Sequence, residues 1–171
     1  VVKEAFDGAN AGVTMDGKVY GIPFTQEGYG FIYNAAILNK AGINPDEITS
    51  YAKLEEAVKK LDAKKAELGL EAVFAVAGKE TWVTGLHFTN AALSPEFENV
   101  FNAFNAKKID FKYSEGMKKL FDLQINYAKK PVNSVDYSTQ VEKLFSLGKV
   151  AFMQQGNWTL GAIKGIDEEL A

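Results

Sequence analysis

Apolar and polar residues recur along the chain with two periods, which predict helices separated by short strands. Ser50 is a plausible N-cap for a helix over residues 50–68, because apolar residues recur on one face every three or four positions. Ser114 is predicted to open a second amphipathic helix that Pro131 ends. Thr139 and Glu142 have the spacing of a capping box and predict a third helix, which stops near Gly148. Helical segments are also expected over residues 81–93 and from Trp158 onward.

Short apolar runs lie between these helices and predict strands. The runs are residues 18–23, which follow an Asp-Gly turn signal, and residues 30–33, 71–77 and 149–154. Strands separated by helices of this length predict an α/β fold with helices covering both faces of the sheet. In open α/β sheets the ligand crevice lies beyond the carboxyl ends of the strands, so the residues that follow each strand are the candidates for a site.

Both tryptophans of the chain follow predicted strands, and polar residues accompany them. Trp82 comes after the run 71–77, Trp158 comes after the run 149–154, and Glu27 comes after the first strand. A pyranose presents an apolar C–H face that stacks on an indole, and its hydroxyls need carboxylate or amide partners. The pattern therefore indicates a carbohydrate site.

Each candidate also has a structural explanation. A tryptophan is often a core residue with a hydrogen-bonded N–H, and Glu27 could be a solvated turn residue. Asp136 and Tyr137 could simply begin a helix, since aspartate favours helix N-termini. The single histidine, His87, lies on a helical stretch and is expected to be packed or half-exposed.

A carbohydrate-cleaving enzyme is a separate alternative. Glycoside hydrolysis needs two carboxyl groups across one bond, one of them with a raised pKa. Glu27 with Asp136 or Glu80 could nominally supply the pair. The spacing in sequence does not measure their separation in space, so this alternative stays open at the level of sequence.

Composition and charge exclude several other classes. The 171 residues, 47% of them hydrophobic, fit one domain with a core of ordinary size. The net charge of −3 leaves no basic stripe, so nucleic acid is not expected as a partner. The chain has no cysteine, and neither a metal nor a cofactor is expected. Both ends look cut, and if the protein is exported we expect its signal to have been removed.

Four segments resemble one family in order and spacing. Residues 17–43 (GKVYGIPFTQEGYGFIYNAAILNKAGI) resemble the bacterial extracellular solute-binding proteins of the sugar-binding, maltose-binding-protein-like class. The segments 78–82 (GKETW), 135–138 (VDYS) and 146–158 (SLGKVAFMQQGNW) agree with the same family. The resemblance covers nearly the whole chain.

The resemblance implies a periplasmic-binding-protein-like (class II) fold of two α/β lobes, with ligand held in the cleft between them. Residues 1–16 would then be a remnant of the first lobe, residues 17–27 a crossing strand and hinge, and residues 28–171 the second lobe, with three α/β/α layers. The residues that the resemblance and the strand-end pattern assign to ligand binding are Glu27, Tyr29, Trp82, Asp136, Tyr137, Gln155 and Trp158.

The function that the resemblance implies is binding without catalysis. The chain would be part of the substrate-binding component of an ABC-type importer, outside the cytoplasm, either in a periplasm or lipid-anchored at the cell surface. Its partners would be a mono- or oligosaccharide, the membrane permease and the missing first lobe of the same protein. A non-sugar solute such as a polyamine or small peptide, and a purely structural module with both tryptophans in the core, are the remaining alternatives.

Overall fold

The structure, a computed structural model, describes residues 13–25 and 27–171. Its strands are Thr14–Met15 (β1), Lys18–Val19 (β2), Tyr29–Tyr33 (β3), Phe74–Ala75 (β4) and Phe152–Gly156 (β5). Its α-helices are Ala35–Ala41 (α1), Tyr51–Ala63 (α2), Phe88–Phe97 (α3), Val100–Asn105 (α4), Ser114–Asn126 (α5) and Leu160–Ile166 (α6). Short 3-10 turns cover Pro45–Glu47, Val132–Ser134 and Asn157–Thr159, and π-helical segments cover Val83–His87 and Thr139–Phe145.

A three-stranded sheet with β5 in the centre forms the middle of the fold. Strand β3 pairs with β5 in antiparallel orientation, and β4 pairs with the other side of β5 in parallel orientation. Tyr29 lies opposite Gly156, and Phe152 lies opposite Tyr33 on one side and Phe74 on the other. The sheet is therefore mixed, and its central strand is the last strand in sequence.

Alternation along the strands divides the core into two clusters, one on each face of the sheet. Phe31, Phe74 and Phe152 belong to the first cluster, which also contains buried residues of α1, α2 and α5. Ala75 and Met153 belong to the second cluster, with the π-helical segment Thr139–Phe145 and α6. Successive side chains of a strand point to opposite faces, so neighbouring residues enter different clusters. The predicted three-layer α/β/α architecture is confirmed.

The ends of two predicted helices differ from the structure. Ser50 caps α2 as predicted, with its hydroxyl oxygen accepting a hydrogen bond from the Lys53 N–H at 3.3 Å, but the helix ends at Ala63. Helix α5 ends well before Pro131, because the Tyr127 carbonyl accepts hydrogen bonds from the backbone N–H groups of Val73 and Phe74. Pairing with the edge of the sheet thus stops the helix.

The predicted capping box at Thr139 and Glu142 is wrong. The carboxylate of Asp136 accepts the hydrogen bond from the Thr139 N–H at 2.9 Å, so the helix begins directly after Asp136. The hydroxyl of Ser138 donates to Glu142 at 2.9 Å instead. The alternative explanation for Asp136, that it begins a helix, is therefore correct as a structural statement.

The predicted strands are present, but most are displaced or shorter. Residues 72–77 are buried as expected, yet only Phe74–Ala75 forms a regular strand. The first predicted strand, 18–23, is limited to Lys18–Val19, which closes a hairpin with β1 around the Asp16-Gly17 turn. Residues 1–12 of the predicted first-lobe remnant lie outside the described residues. In the described part of the chain, no helix is both long and apolar enough to cross a membrane.

Candidate functional site

The topology brings three loop segments to one edge of the sheet. Strand β3 begins where β5 ends, because the two are antiparallel and Tyr29 lies opposite Gly156. Strand β4 runs parallel to β5, so the residues that follow Ala75 emerge at the same edge. Trp82 and Trp158 follow these two strand ends. This edge is the one at which open α/β sheets bind ligands.

Five rings converge at this edge and are called the aromatic cluster: Tyr29, Trp82, His87, Tyr137 and Trp158. The ring centroids of Trp82 and Trp158 lie 6.2 Å apart, with an angle of 57° between the ring planes. Tyr137 lies 6.1 Å from Trp82 at an angle of 43°. Trp82 is 37% exposed and Tyr29 is 39% exposed, whereas Trp158 and Tyr137 are half-buried. The cluster is therefore a partly exposed aromatic surface, and the tryptophans are not core residues.

His87 lies beneath the other rings and contacts three of them. Its imidazole stacks on Tyr29 with centroids 4.0 Å apart, and it meets Trp82 edge-on at 5.3 Å and Trp158 at 5.8 Å. His87 is only 2% exposed, and its Nδ1 atom has no hydrogen-bond partner among the described residues. Burial lowers the pKa of the imidazole, so the neutral form is favoured.

The expectation that His87 is packed or half-exposed is confirmed, although the sequence did not indicate that it packs against Tyr29, Trp82 and Trp158. The local geometry of the helix brings His87 into the cluster. Val83–His87 is a π-helical turn, closed by the hydrogen bond from the Phe88 N–H to the Val83 carbonyl. Trp82 and His87 are five residues apart, and in a regular α-helix residues with this spacing do not lie on the same face. Short π-helical turns inside helices are frequent at functional sites.

Glu80 connects two loops of the site. One of its carboxylate oxygens accepts a hydrogen bond from the Trp82 Nε1–H at 3.2 Å. The other oxygen accepts one from the backbone N–H of Tyr137 at 3.1 Å. Glu80 therefore fixes the indole of Trp82 relative to the start of the helix that carries Tyr137. In the sequence it was considered only as a possible catalytic carboxylate.

Tyr29 enters the cluster from the start of β3, and Glu27 precedes it by two residues. The hydroxyl oxygen of Tyr29 accepts a hydrogen bond from the side-chain amide of Asn90. Gly28 and Asn157 are joined by two hydrogen bonds, from the Gly28 N–H to the Asn157 side-chain oxygen at 3.2 Å and from the Asn157 N–H to the Gly28 carbonyl at 3.0 Å. The exposed Glu27 is thus next to a residue that is fixed beside Trp158.

Asp136 lies at the N-terminus of the helix that carries Tyr137. Besides capping this helix, its carboxylate lies 3.8 Å from the ammonium group of Lys79. The hydrogen bonds from Thr139 lower the pKa of Asp136, and the nearby lysines lower it further. Burial raises the pKa of the Tyr137 hydroxyl. The pair therefore combines an ionised carboxylate with a neutral phenol.

Gln155 does not join the exposed side chains. It is 0% exposed, its amide N–H donates to the Gln140 side-chain oxygen at 3.0 Å, and its own oxygen accepts from the Gly156 N–H at 3.3 Å. Gln140 in turn donates to the Ala75 carbonyl at 2.8 Å. Contrary to the expectation from sequence, the side chain offers no surface to a ligand, because it belongs to a buried amide network that links β5 to β4.

No group of three or more histidine, aspartate or glutamate side chains within residues 13–25 and 27–171 is arranged to hold a metal ion. The side chains that surround the aromatic cluster are instead aromatic, amide and carboxylate groups.

A comparison with protein families matches residues 2–171 to the bacterial extracellular solute-binding proteins. The chain belongs to this family. Family membership agrees with the predicted location outside the cytoplasm, since the family is described as extracellular. A comparison with curated protein sequences found no match.

Solved solute-binding structures share the fold of this family member. The apo form of RafE from Streptococcus pneumoniae superposes with a TM-score of 0.77 at 23% identity, covering 99% of this chain and 44% of RafE. A chitin oligosaccharide binding protein gives a TM-score of 0.69 at 26% identity, covering 95% of this chain and 39% of that protein. A Bacillus licheniformis sugar transporter in complex with stachyose gives a TM-score of 0.71 at 20% identity, covering 99% of this chain and 45% of that protein. The chain spans less than half the length of each of these proteins.

Proposed function

We propose that this solute-binding family member binds a saccharide on its aromatic cluster and belongs to the receptor component of an ABC-type sugar importer. The observation that supports this most directly is the pair of partly exposed indoles from separate loops, 6.2 Å apart at the carboxyl edge of the sheet. Similar folds are found in RafE in complex with raffinose and in the transporter in complex with stachyose. These relatives make oligosaccharides the first ligands to test.

The polar groups around the cluster suit the hydroxyls of a neutral sugar. Glu27 is exposed, and the Tyr29 hydroxyl, which accepts a hydrogen bond from Asn90, retains its own proton to donate. Asp136 supplies an ionised carboxylate and Tyr137 a neutral hydroxyl on the opposite loop. Together these groups offer both donors and acceptors beside the two indoles.

The carboxylates of the site argue against a polycationic ligand. Both oxygens of Glu80 already accept hydrogen bonds from protein N–H groups, and Asp136 caps a helix with Lys79 close to its other oxygen. A polyamine would need several unpaired carboxylates to offset the desolvation of its charges. A neutral saccharide needs no such compensation.

Two of the three candidate carboxylates, Asp136 and Glu80, do not suit the role of general acid in glycoside hydrolysis. A general acid for that reaction needs a raised pKa, whereas hydrogen bonds from Thr139 lower the pKa of Asp136. Glu80 is engaged in positioning Trp82 and Tyr137. We therefore propose capture of the ligand without a chemical step.

The proposed mechanism is closure of two lobes around the ligand. Residues 1–16, 17–27 and 28–171 would correspond to the end of the first lobe, the hinge and the second lobe. Ligand would bind the aromatic cluster first and then stabilise the closed form, because only that form gives it contacts with the other lobe. The closed form would be the one recognised by the membrane permease.

Replacing Trp158 by alanine tests the proposal. We expect the full-length protein with Trp158→Ala to bind raffinose or stachyose at least about tenfold more weakly, a change of roughly 1.4 kcal/mol, because one stacking face is lost. Isothermal titration calorimetry measures the affinity, and the fluorescence of the 171-residue chain with Trp158→Ala, in which Trp82 is the one indole left, reports contact with the sugar.

Phe104→Ala is the matched control, because Phe104 is another exposed aromatic residue, 80% exposed on α4. It should leave the affinity unchanged. The proposal fails if the unmodified protein shows neither heat nor a fluorescence change with raffinose, stachyose and chitin oligosaccharides, or if Trp158→Ala binds as tightly as the unmodified protein.

A further inference from the structure

The indole of Trp158 occupies the space where a side chain on Gly156 would lie. A Cβ atom added to Gly156 would be 2.1 Å from Cζ3, 2.2 Å from Cη2 and 2.3 Å from Cε3 of the Trp158 ring. These separations are far shorter than the 3.5–4.0 Å at which carbon atoms make their best contact. The six-membered ring of the indole therefore lies directly against the Gly156 backbone.

The backbone conformation does not itself require glycine at this position. Gly156 has φ −106° and ψ 171°, an extended conformation that any residue adopts. What requires glycine is the position of the Trp158 ring. A larger residue at 156 would have to displace the ring.

The backbone around Trp158 is held in place by hydrogen bonds, so a shift of the chain is not an easy way to make room. The Asn157 N–H donates to the Gly28 carbonyl at 3.0 Å, and the Thr159 hydroxyl donates to the Gly156 carbonyl at 2.7 Å. Gly156 is buried at the end of the central strand. A side chain at 156 would therefore move the indole and leave the strand in place.

Trp82, the partner of Trp158 in the cluster, is held by contacts that do not involve Gly156. Glu80 accepts a hydrogen bond from its indole N–H, and His87 packs against it edge-on. His87 also contacts the Trp158 ring, at 5.8 Å, so the angle between the two indoles depends on this shared support and, on the Trp158 side, on the close approach to Gly156.

This angle decides how a sugar ring can be held. A ring stacked between two parallel plates needs a plate separation of about 7–8 Å, twice the contact distance of 3.5–4.0 Å. The indoles are 6.2 Å apart and inclined by 57°, so they cannot enclose one sugar ring between their faces. They form a corner with two walls, which can take the C–H face of a pyranose on one indole and its edge on the other.

We propose that Gly156 is a positioning residue that sets this two-walled corner by letting the Trp158 indole lie on the end of β5. The claim about geometry is independent of any ligand, and only its consequence for binding rests on the proposed function. Gly156→Ala should displace the Trp158 ring from the end of β5 and so abolish the present angle between the two indoles.

The test compares Gly156→Ala with Gly161→Ala in the full-length protein. Gly161 is the matched control, because an added Cβ there meets nothing within 4 Å. Circular dichroism of the ligand-free protein reports exciton coupling between the two nearby indoles. We expect Gly156→Ala to change this signal, with a Trp158→Phe variant giving the spectrum without the pair, and to weaken raffinose or stachyose binding at least about tenfold by calorimetry, whereas Gly161→Ala should change neither.

A second measurement remains informative if Gly156→Ala lowers stability strongly. Gly156→Ala should lower the midpoint of thermal unfolding when residue 158 is tryptophan, and much less in a Trp158→Ala background, because the ring that clashes is then absent. An equal decrease in both backgrounds, or an unchanged exciton signal in Gly156→Ala, would overturn the positioning role. A changed exciton signal with unchanged sugar affinity would support the positioning role and overturn sugar binding at the corner.

Discussion

At the scale of single residues, the aromatic cluster depends on a histidine that a ligand does not need to touch. His87 is buried under Tyr29, Trp82 and Trp158, and its Nδ1 atom has no hydrogen-bond partner among the described residues. Burying such an atom costs free energy, which the ring contacts offset. The imidazole thus serves as a flat, neutral support for the exposed rings.

His87→Phe should make the protein more resistant to mild acid. The unfolded chain binds a proton at His87 below a pH of about 6.5, whereas burial keeps the folded form neutral, so the unmodified protein loses stability as the pH falls below that value. Phenylalanine has no proton to bind and keeps the ring contacts. Between pH 8 and pH 5, the midpoint of thermal unfolding of His87→Phe should rise relative to that of the unmodified protein as the pH falls. If the unfolding midpoints of the two proteins change with pH in parallel, His87 is not a source of acid sensitivity.

At the scale of elements, the site is built at helix starts and strand ends that are fixed by specific polar contacts. Asp136 caps the helix that carries Tyr137, and Glu80 accepts a hydrogen bond from the backbone of Tyr137. The buried amides of Gln155 and Gln140 join β5 to β4 behind the cluster. These contacts fix the positions of the site loops relative to the sheet.

Asp136→Asn should remove one source of acid sensitivity without removing the cap. Asparagine caps helices as well as aspartate does, because its side-chain oxygen can accept the Thr139 N–H. The folded-state pKa of Asp136 is lowered, so its charge stabilises the fold above the unfolded pKa, near 3.9, and this contribution is lost as the pH falls through the folded pKa.

Thermal unfolding between pH 7 and pH 2 measures this effect. We expect Asp136→Asn to be less stable than the unmodified protein at pH 7 and to approach it at the acidic end. Asp136→Ala, which removes the cap, should be less stable at every pH. If Asp136→Asn remains less stable than the unmodified protein by the same amount down to pH 2, the ionised carboxylate is not what stabilises the fold at neutral pH.

At the scale of the whole molecule, the aromatic cluster faces solvent at one edge of a three-layer unit that spans 44% of RafE. In the proposed two-lobe mechanism, the remaining contacts with the ligand come from the other lobe, and the ligand gains them only when the lobes close. The aromatic cluster would supply only part of the contacts with the sugar, so this lobe by itself should bind the sugar more weakly than the two lobes together.

The full-length protein should therefore bind its sugar more tightly than the 171-residue chain, on the order of 100-fold, or about 2.7 kcal/mol. Calorimetry with the same sugar on both proteins measures the difference. Circular dichroism on the shorter chain checks that it is folded. Equal affinities would rule out the two-lobe mechanism and would leave sugar binding by the aromatic cluster intact.

Local patterns in the sequence determined the architecture. The periodicity of Leu54, Ala57, Val58 and Leu61 predicted helix α2, and the continuous apolar runs 71–77 and 149–154 predicted the two buried strands β4 and β5. These features depend on residues a few positions apart, so the sequence alone reveals them. The rule that ligands bind beyond the carboxyl ends of the strands is what placed Trp82 and Trp158 at one edge of the sheet.

Only the tertiary structure decided which side chains face the ligand edge. Gln155 and Trp158 belong to one short segment, yet Gln155 turns into the amide network with Gln140, and Trp158 folds back onto Gly156. Glu80 and His87 gained their roles from Tyr137 and Tyr29, which are distant in sequence. Such contacts arise from packing between elements, where distance along the chain carries no information about distance in space.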